Sequence, residues 1–447
     1  MQRQERFLCI LHGIGMLFAT LLLCSQQNIP IAVATNPIKI ERATSAPAVL
    51  KIYAVTNDSP MIALLVNEIA MHLGASQQFA VTVMLGKPLT TKQEFMAIAG
   101  GGTAMVLYCT MTDSALHWRL LDGTGGESLV GKKSKQGDRP VWRWAADVAD
   151  QIWHAMTSRN SDFSSVIIAC KKEKKRLQGR QHRTMRIIHP TFGSQWGEAV
   201  VLVDAMSDNF APRVHPTLPF VYFSQHTPTN IRLMVTDTDR RCRIVTNFDG
   251  QNLTPAIHAQ GKIIVCLSHG DATHLYEYRF CLPTGKGEFV QITHGKGHYV
   301  SPSFVDSATL VAAYIDDALA STIQLINLTT QQVTKLSIGR AYCPVGDGNG
   351  RIAYCKKAQG VLQVWLYDTA TGKERQLTSS PGDKDEPTWS PSGTALAVAS
   401  HEGGNSRIII VDATTGKQRA ITPVNEQWSC PAWAPTNYAA AFYRRHN

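Results

Sequence analysis

The sequence predicts an α/β N-terminal domain followed by an all-β six-bladed β-propeller. Residues 49–157 alternate strand patterns with helix patterns, whereas from residue 164 onward the helical period disappears. That second part carries three markers that recur in phase at about 43 residues, a length typical of four short strands and their turns. We assign residues 35–160 to an extended N-terminal segment and the α/β domain, and residues 161–447 to the propeller.

The composition excludes two classes of protein. Hydrophobic residues make up 44% and charged residues 17% of the 447 residues, which is too apolar for a disordered chain. The net charge of +10 is a mild excess for this length and not the dense basic stripe of a nucleic-acid binder. We therefore expect a globular protein with no nucleic-acid partner.

Residues 1–34 have the pattern of a signal peptide. Arg3 and Arg6 precede an apolar run over residues 7–24, and Ala32-Val33-Ala34 is a small-residue cleavage site. A retained anchor is the alternative. We expect the mature chain to be exported and soluble.

Ten cysteines are present, two of them within the signal peptide. None forms a CxxC pair, so zinc and redox motifs find no support. In an oxidising compartment the other eight could form disulfides, or they could be buried as small apolar side chains. The pairing stays open for Cys109, Cys170, Cys242, Cys266, Cys281, Cys343, Cys355 and Cys430.

The N-terminal domain is predicted from its alternating elements. Strands are expected at residues 49–55, 79–84, 104–109 and 116–121, with helices at 60–73 and 91–99. A last helix follows Trp142 and Trp144 and has one apolar face formed by Ala145, Val148, Ala149, Ile152, Trp153 and Met156. Phosphate-binding GxGxxG and Walker A motifs are absent from the sequence.

A repeated proline is the first marker of the propeller, and successive copies lie 42 to 47 residues apart. A hydrophobic-Thr pair ends most units, and the turn at 368–372 returns at 412–416. The repeated prolines are Pro212, Pro255, Pro302, Pro344, Pro387 and Pro431.

The ends of the repeat predict how the ring closes. Five complete units run from residue 212 to 422, and the chain then has half a unit, with strands expected at 431–433 and 439–443. Strands at 166–170, 185–188 and 200–203 would complete a sixth sheet, which removes the exposed edges of an open arrangement.

These features resemble the TolB family. Residues 38–42 resemble the extended N-terminus of that family, and residues 145–169 resemble its junction between the two domains. Residues 387–422 resemble its propeller repeat, although Ser392 stands where the repeat usually has Asp. The likeness covers essentially the whole mature chain.

The resemblance implies a periplasmic scaffold of the Tol–Pal system that supports outer-membrane integrity and invagination during cell division. The propeller would bind the lipoprotein Pal. The N-terminal segment, with Ile38, Lys39, Ile40 and Glu41, would bind TolA. A monomer without cofactors that meets membranes only through its partners is expected. The alternative is a non-catalytic envelope propeller that binds peptide or glycan in another pathway.

An enzyme is not predicted. The chain has no GxSxG motif. Asp383, Asp385 and Glu386 could form a glycosidase pair, but a solvated loop is the simpler interpretation. His294 and His298 are separated by glycines, so a loop is favoured over a helical metal site. No catalytic or metal residue is therefore proposed.

Loops that lead into each repeated proline are the candidate partner surface. They combine charged with aromatic residues, and Tyr and Trp are typical interface anchors. Packing between neighbouring sheets is the alternative. The candidates are Asp208, Asn209, Phe210, His298, Tyr299, Tyr342, Asp385, Glu386, Gln427 and Trp428.

The most basic stretch runs from residue 171 to 186. A solvated hairpin connection and a contact with an anionic partner both explain it. Its basic residues are Lys171, Lys172, Lys174, Lys175, Arg176, Arg180, Arg183 and Arg186.

Overall fold

The structure is a computed structural model, and every residue it describes lies in one unit, Ser45–Asn447. The predicted signal peptide, the predicted TolA segment and part of the basic stretch lie outside the described residues. The described residues are 47–56, 60–76, 78–100, 102–124, 126–174, 182–191, 199–204, 207–281 and 286–446.

The smaller N-terminal region is built on a five-stranded sheet with the order β2-β1-β3-β4-β5. Strand β1 runs parallel to β2 and β3, while β3, β4 and β5 form an antiparallel meander. The strands are β1 Ala48–Val55, β2 Phe79–Gly86, β3 Thr103–Thr112, β4 Ala115–Asp122 and β5 Ser128–Lys135. The first four match the predicted strands, and β5 was not predicted because its sequence SLVGKKSK is mostly polar.

Helices α1 Pro60–Ala75 and α2 Lys92–Ala99 lie close to their predicted positions. Helix α2 begins at a capping box. The Thr91 hydroxyl accepts the Glu94 N–H at 3.2 Å, and the Glu94 carboxylate accepts the Thr91 N–H at 3.1 Å. The two bonds satisfy backbone donors that an uncapped helix end leaves open.

Helix α3 spans Val141–Thr157 and therefore includes Trp142 and Trp144, which the sequence analysis wrongly placed before it. Pro140 is the N-cap, and its fixed φ of −62° leads directly into the helix. The Trp144 indole N–H donates to the Ser134 hydroxyl at 2.8 Å, so this side chain is buried with its polar atom satisfied. The predicted apolar face packs against α1.

The larger part of the chain consists of four-stranded antiparallel sheets. Two consecutive four-stranded sheets are joined into one of eight strands by the single pair Thr273–His298. Their strands are β9 Asp208–Val214, β10 Val221–His226, β11 Ile231–Thr236, β12 Cys242–Thr246, β13 Asn252–Ile257, β14 Ile263–His269, β15 Ala272–Cys281, β16 Lys286–Gln291, β17 His298–Phe304, β18 Thr309–Ile315, β19 Ser321–Asn327, β20 Val333–Lys335, β21 Tyr342–Gly346, β22 Arg351–Ala358, β23 Val361–Asp368, β24 Lys373–Gln376, β25 Asp383–Trp389, β26 Ala395–Glu402, β27 Asn405–Asp412 and β28 Gln418–Ala420.

The remaining sheet joins the two ends of this part of the chain. Strand β29, Trp428–Ala434, pairs with β6, Val166–Lys172, and the sheet continues through β7, Arg183–Ile188, and β8, Val200–Val203. The first strand of each sheet also contacts the first strand of the next, from β9 through β13, β17, β21, β25 and β29 and back to β9. The fold is a β-propeller with a smaller N-terminal region.

The expected strand at residues 439–443 is wrong, because these residues belong to helix α4, Thr436–His446. Residues 439–441 are three consecutive alanines. Alanine has the highest intrinsic helix propensity of any residue type. Tyr438, Ala439 and Phe442 are buried on one side of the helix. The closing sheet therefore takes one strand from the C-terminal end and three from the other side of the repeat.

The second and third sequence markers have identifiable structural roles. The Thr378 hydroxyl accepts the Val364 N–H at 2.9 Å, and the Thr422 hydroxyl accepts the Ile408 N–H at 2.8 Å. In the repeated turn, Asp412 accepts the Thr415 N–H at 2.7 Å, and Gly416 has a φ of +71°. In these units the two markers therefore supply hydrogen bonds and, at Gly416, a positive backbone angle.

No helix in the described part of the chain is both long and apolar enough to cross a membrane.

Candidate functional site

The residue before five of the six repeated prolines has an unusual backbone conformation. Five such residues have φ between +48° and +52°, a region that non-glycine residues rarely adopt. Each lies where the register of the first strand shifts against its neighbour. Proline has no N–H to give to the ladder, so a bulge accommodates it. We call these residues the inner ring: Ala211, Ser301, Cys343, Glu386 and Cys430.

Two residues of the inner ring contact each other across neighbouring sheets. The two oxygens of Glu386 accept the Cys430 N–H at 2.5 Å and the Cys430 thiol at 3.0 Å. The Asp385 carboxylate accepts the Glu386 N–H at 2.7 Å and lies close to the thiols of Cys343 and Cys355. Burial, and then the charge of Glu386, raise the pKa of Asp385. The ring is thus a polar network inside the first strands.

Arg213 brings a positive charge to this network. It follows Pro212 on β9, and its surroundings include Cys430, Glu386 and Cys343. Burial lowers the pKa of Arg213, although the nearby thiols and carboxylate oppose that effect. The equivalent positions after the other repeated prolines are Ala256, Ser303, Val345, Thr388 and Ala432. Arg213 is the only charged residue among these positions, which an alignment of the sequence on its repeated prolines could have shown.

The candidate residues on β9 belong to a second network. Asp208 accepts two hydrogen bonds from Arg183, Nε to Oδ1 at 2.8 Å and Nη2 to Oδ2 at 2.7 Å. The Arg183 guanidinium also lies 5.6 Å from the centre of the Phe210 ring. Asn209 is fully buried, donates to the Arg183 carbonyl at 3.2 Å and accepts from Gln225 at 2.9 Å. These contacts link the closing sheet to the next one.

The candidate aromatics on β17 and β21 differ in exposure. Tyr299 is buried, and its hydroxyl donates to Gln324 at 2.9 Å. His298 is half-buried, with Nδ1 3.4 Å from the Thr273 hydroxyl, and burial lowers its pKa. Tyr342 is half-buried as well, and burial raises its pKa.

The candidates on the C-terminal strand form a small charged cluster with the basic stretch. The buried Trp428 donates its indole N–H to Glu426 at 2.7 Å, and the Lys171 ammonium lies 5.4 Å from the Trp428 ring centre. Lys171 Nζ is also 2.5 Å from Glu426 Oε1. Gln427 is half-buried and donates to the Gly404 carbonyl at 3.2 Å.

The structure therefore changes the expected position of the candidate residues. All except Gln427 lie at the start of a first strand or within it, not in a preceding loop. Five are buried by packing, namely Asn209, Phe210, Tyr299, Asp385 and Trp428. Five are partly exposed, namely Asp208, His298, Tyr342, Glu386 and Gln427.

Three of the five described basic residues in the basic stretch form ion pairs. Lys171, Arg183 and Arg186 pair with Glu426, Asp208 and Glu173 respectively. Residues 175–181, between β6 and β7, lie outside the described residues. Within the described residues, no group of three or more His, Cys, Asp or Glu side chains could hold a metal ion.

Comparison with known proteins decides the family. The family model of the TolB beta propeller domain matches residues 155–444, which is more than half of the chain. The chain belongs to the TolB family. Its structure is similar to TolB from Acinetobacter baumannii, with a TM-score of 0.73, 18% identity, and coverage of 88% of this chain and 98% of the other. At that identity the likeness concerns the fold.

A curated relative supports the same family over a shorter stretch. Protein TolB homolog from Protochlamydia amoebophila (strain UWE25) is 38% identical over 64 residues. The match covers 14% of this chain and 13% of that TolB homolog, so the chain spans about an eighth of the relative's length in the alignment.

The junction between the two parts of this TolB-family chain is held by two carboxylates. Asp150, on α3, accepts the Phe163 N–H at 3.0 Å and the Ser164 N–H at 3.1 Å. Asp162 accepts both the N–H, at 2.9 Å, and the hydroxyl of Ser392. An Asp at position 392, as in the usual TolB repeat, would face the Asp162 carboxylate.

A buried pair of histidines lies in the same junction. His72 on α1 is fully buried, with its ring centre 5.3 Å from that of His189 and its Nδ1 2.9 Å from the Thr191 hydroxyl. Burial lowers the pKa of His72 to about 3 and that of His189 well below its usual value. A cavity of about 150 Å³ opens nearby between Trp153, Phe163 and Arg419.

Proposed function

We propose that this TolB-family chain is a non-catalytic periplasmic scaffold of the Tol–Pal system. It binds Pal through the propeller and TolA through the N-terminal segment, and it supports outer-membrane integrity and invagination during cell division. The single observation that carries this proposal is the match of the TolB beta propeller domain over residues 155–444. The described inner ring offers hydrogen-bonding and apolar surface, which suits recognition of a protein partner.

The proposed architecture is a six-bladed ring preceded by an α/β domain. Contacts between successive first strands, which return from β29 to β9, support six blades. The proposed division into residues 1–34, 35–160 and 161–447 is supported by the start of the family match at residue 155 and of β6 at Val166. A ring closed in this way leaves only short outer edges on its sheets.

The proposed surface for Pal is formed by the five partly exposed candidates. Asp208, His298, Tyr342, Glu386 and Gln427 come from five different sheets of the propeller, at or near the start of a first strand. Of the buried candidates, Asp385 accepts the Glu386 N–H, and Asn209 and Phe210 contact Arg183, which in turn binds Asp208. A surface assembled from several rigid strands needs little reorganisation on binding, which favours affinity.

Binding to Pal is tested with the purified mature chain and Pal from the same cell by isothermal titration calorimetry. We expect a complex. Tyr342→Ala should raise its Kd about tenfold or more, because aromatic anchors carry much of the binding energy of an interface. Leu129→Ala is the matched control, because Leu129 is 58% exposed on β5, in the other part of the chain. No complex at about 10 μM Pal contradicts the proposal.

Binding to TolA is tested by removing the proposed segment. A chain that begins at residue 45 lacks Ile38, Lys39, Ile40 and Glu41 but keeps β1. It should lose TolA capture and retain Pal binding. Undiminished TolA capture by this shortened chain rules out the assignment of the segment.

A further inference from the structure

Two cysteines meet where the propeller closes. Cys430 is the inner-ring residue of β29, and Cys170 lies on β6, paired in register with the neighbouring Ser429. Cys170 is fully buried and Cys430 is 6% exposed. The pairing of β29 with β6 therefore places the two cysteines next to each other on adjacent strands. All described cysteine thiols are free in this structure.

The position of this pair in the chain is special. Strand β29 is the only contribution of the C-terminal end to the closing sheet, and among the described strands it pairs with β6 alone. A covalent bond between Cys170 and Cys430 would therefore link the two ends of the ring. It would reinforce the backbone hydrogen bonds between β29 and β6. It would also enclose a loop of most of the propeller, and closing a long loop restricts the unfolded chain strongly.

We propose that Cys170 and Cys430 form a disulfide as the chain folds, which fastens the closing strand of the propeller. The two thiols lose two protons and two electrons, and one S–S bond forms. The oxidant is a disulfide, either a small molecule or a protein, which is cleaved and reduced to two thiols. In the cell this rests on the proposed periplasmic location, because oxidising compartments supply such disulfides.

The surroundings of Cys430 indicate that the disulfide forms before the two thiols become buried. Contact with Cys170, burial and the Glu386 carboxylate raise the pKa of the Cys430 thiol well above its usual value. Since the thiolate is the reacting form, the folded reduced chain should oxidise slowly. The same burial protects the disulfide once it has formed. Oxidation during folding and resistance to reductant afterwards are thus expected together.

A second pair occupies the equivalent place in another sheet and serves as an internal control. Cys343 is the inner-ring residue of β21, and Cys355 pairs with the neighbouring Tyr342. There, however, the Asp385 carboxylate lies close to both thiols. The pair also lies within one sheet built from consecutive strands, so a bond there would not close the ring.

The test is a peptide map of the unmutated chain. The chain is reduced, denatured, refolded with oxidised and reduced glutathione, alkylated and digested with trypsin. We expect peptide 160–171 linked to peptide 420–444, each of which contains one cysteine. The proposal is overturned if Cys170 and Cys430 are both alkylated, or if either is linked to a different peptide. This result does not depend on whether a cysteine variant folds.

Thermal unfolding supplies the second readout. Dithiothreitol, added during denaturation and refolding, should lower the Tm of the unmutated chain by about 5 °C or more. It should leave the Tm of Cys430→Ser unchanged, while Cys355→Ser retains the full reductant-dependent shift. Equal shifts in the unmutated chain and Cys430→Ser contradict the proposal.

The outcome is separable from that of the proposed function. Refolding in glutathione requires neither export nor a partner. A chain that contains the disulfide but does not bind Pal contradicts only the proposed function. A chain that binds Pal while Cys170 and Cys430 remain reduced contradicts only the disulfide.

Discussion

Glu386 holds Cys430 by both of its carboxylate oxygens, accepting the backbone N–H at 2.5 Å and the thiol at 3.0 Å. Both residues precede a repeated proline, and they lie on the first strands of neighbouring sheets. The bulge at Pro431 takes the Cys430 N–H out of the hydrogen-bond ladder between β29 and β6. Glu386, on the neighbouring sheet, supplies the acceptor instead. The repeat thus connects adjacent sheets through the residues that its proline distorts.

Glu386→Ala should destabilise the chain by about 1–3 kcal/mol, because the Cys430 N–H loses its acceptor in a largely buried place. Glu386→Gln, which keeps an oxygen, should cost less. Urea unfolding measures the difference. Glu402→Ala is the control, since Glu402 is exposed at the end of β26. Equal losses for Glu386→Ala and Glu402→Ala contradict the role given to Glu386.

The Arg183–Asp208 pair should contribute more than a pair at the surface. Their side chains are 19% and 16% exposed, so Asp208→Ala leaves a poorly hydrated guanidinium and should cost about 1–3 kcal/mol. The control is Glu277→Ala, which removes a similar pair whose Arg279 is 54% exposed and should cost less than about 1 kcal/mol. Urea unfolding of both variants checks the order, and the reverse order contradicts the prediction.

Acid should weaken the junction through His72. Its pKa of about 3 is depressed by burial, so below the ordinary pKa of 6.5 the unfolded chain binds a proton that the folded chain does not. Stability should fall by up to about 1.4 kcal/mol per pH unit from this residue, with a similar effect from His189. The loss begins near pH 6.5 and continues toward pH 3.

The measurement is urea unfolding at several pH values between 7 and 4. His72→Asn should flatten the dependence on pH, whereas His294→Asn, at an exposed position, should leave it unchanged. A His72→Asn chain with the same slope as the unmutated chain contradicts this explanation.

The repeat and its closure could be predicted from the sequence because their markers are local. The Thr at the end of a unit and the Asp-to-Gly turn each form short-range hydrogen bonds that demand particular residue types. The helix at 436–446 was missed because a short apolar run has no clear period, and its burial depends on contacts with distant residues such as Trp142, whose ring lies 4.8 Å from that of Tyr443.

The candidate site was predicted only in part for a related reason. The repeated proline marked where the first strands begin, but the positive φ of the preceding residue and the bulge follow from pairing between strands. Arg183 and Glu426 join the site from outside the repeat positions, through side-chain contacts that spacing does not encode. The sequence showed that Ser392 differs from the repeat, but it did not show that Ser392 contacts Asp162.

Ser392→Asp, which restores the usual residue of the TolB repeat, should destabilise this chain. The new carboxylate would face Asp162, whose pKa burial already raises, and a hydroxyl donor would be lost. We expect a cost of about 1–3 kcal/mol at pH 7 that decreases as the pH falls, since protonation of one carboxyl lets it donate to the other. Urea unfolding at pH 7 and pH 5 measures both effects.

The double variant Ser392→Asp with Asp162→Asn isolates this pair. An amide at position 162 can donate to the new carboxylate, so the double variant should recover a large part of the lost stability at pH 7. A double-mutant cycle gives the interaction between the two positions directly. If the effects of the two single substitutions simply add, the two side chains do not interact, and another cause must explain why Ser replaces Asp at position 392.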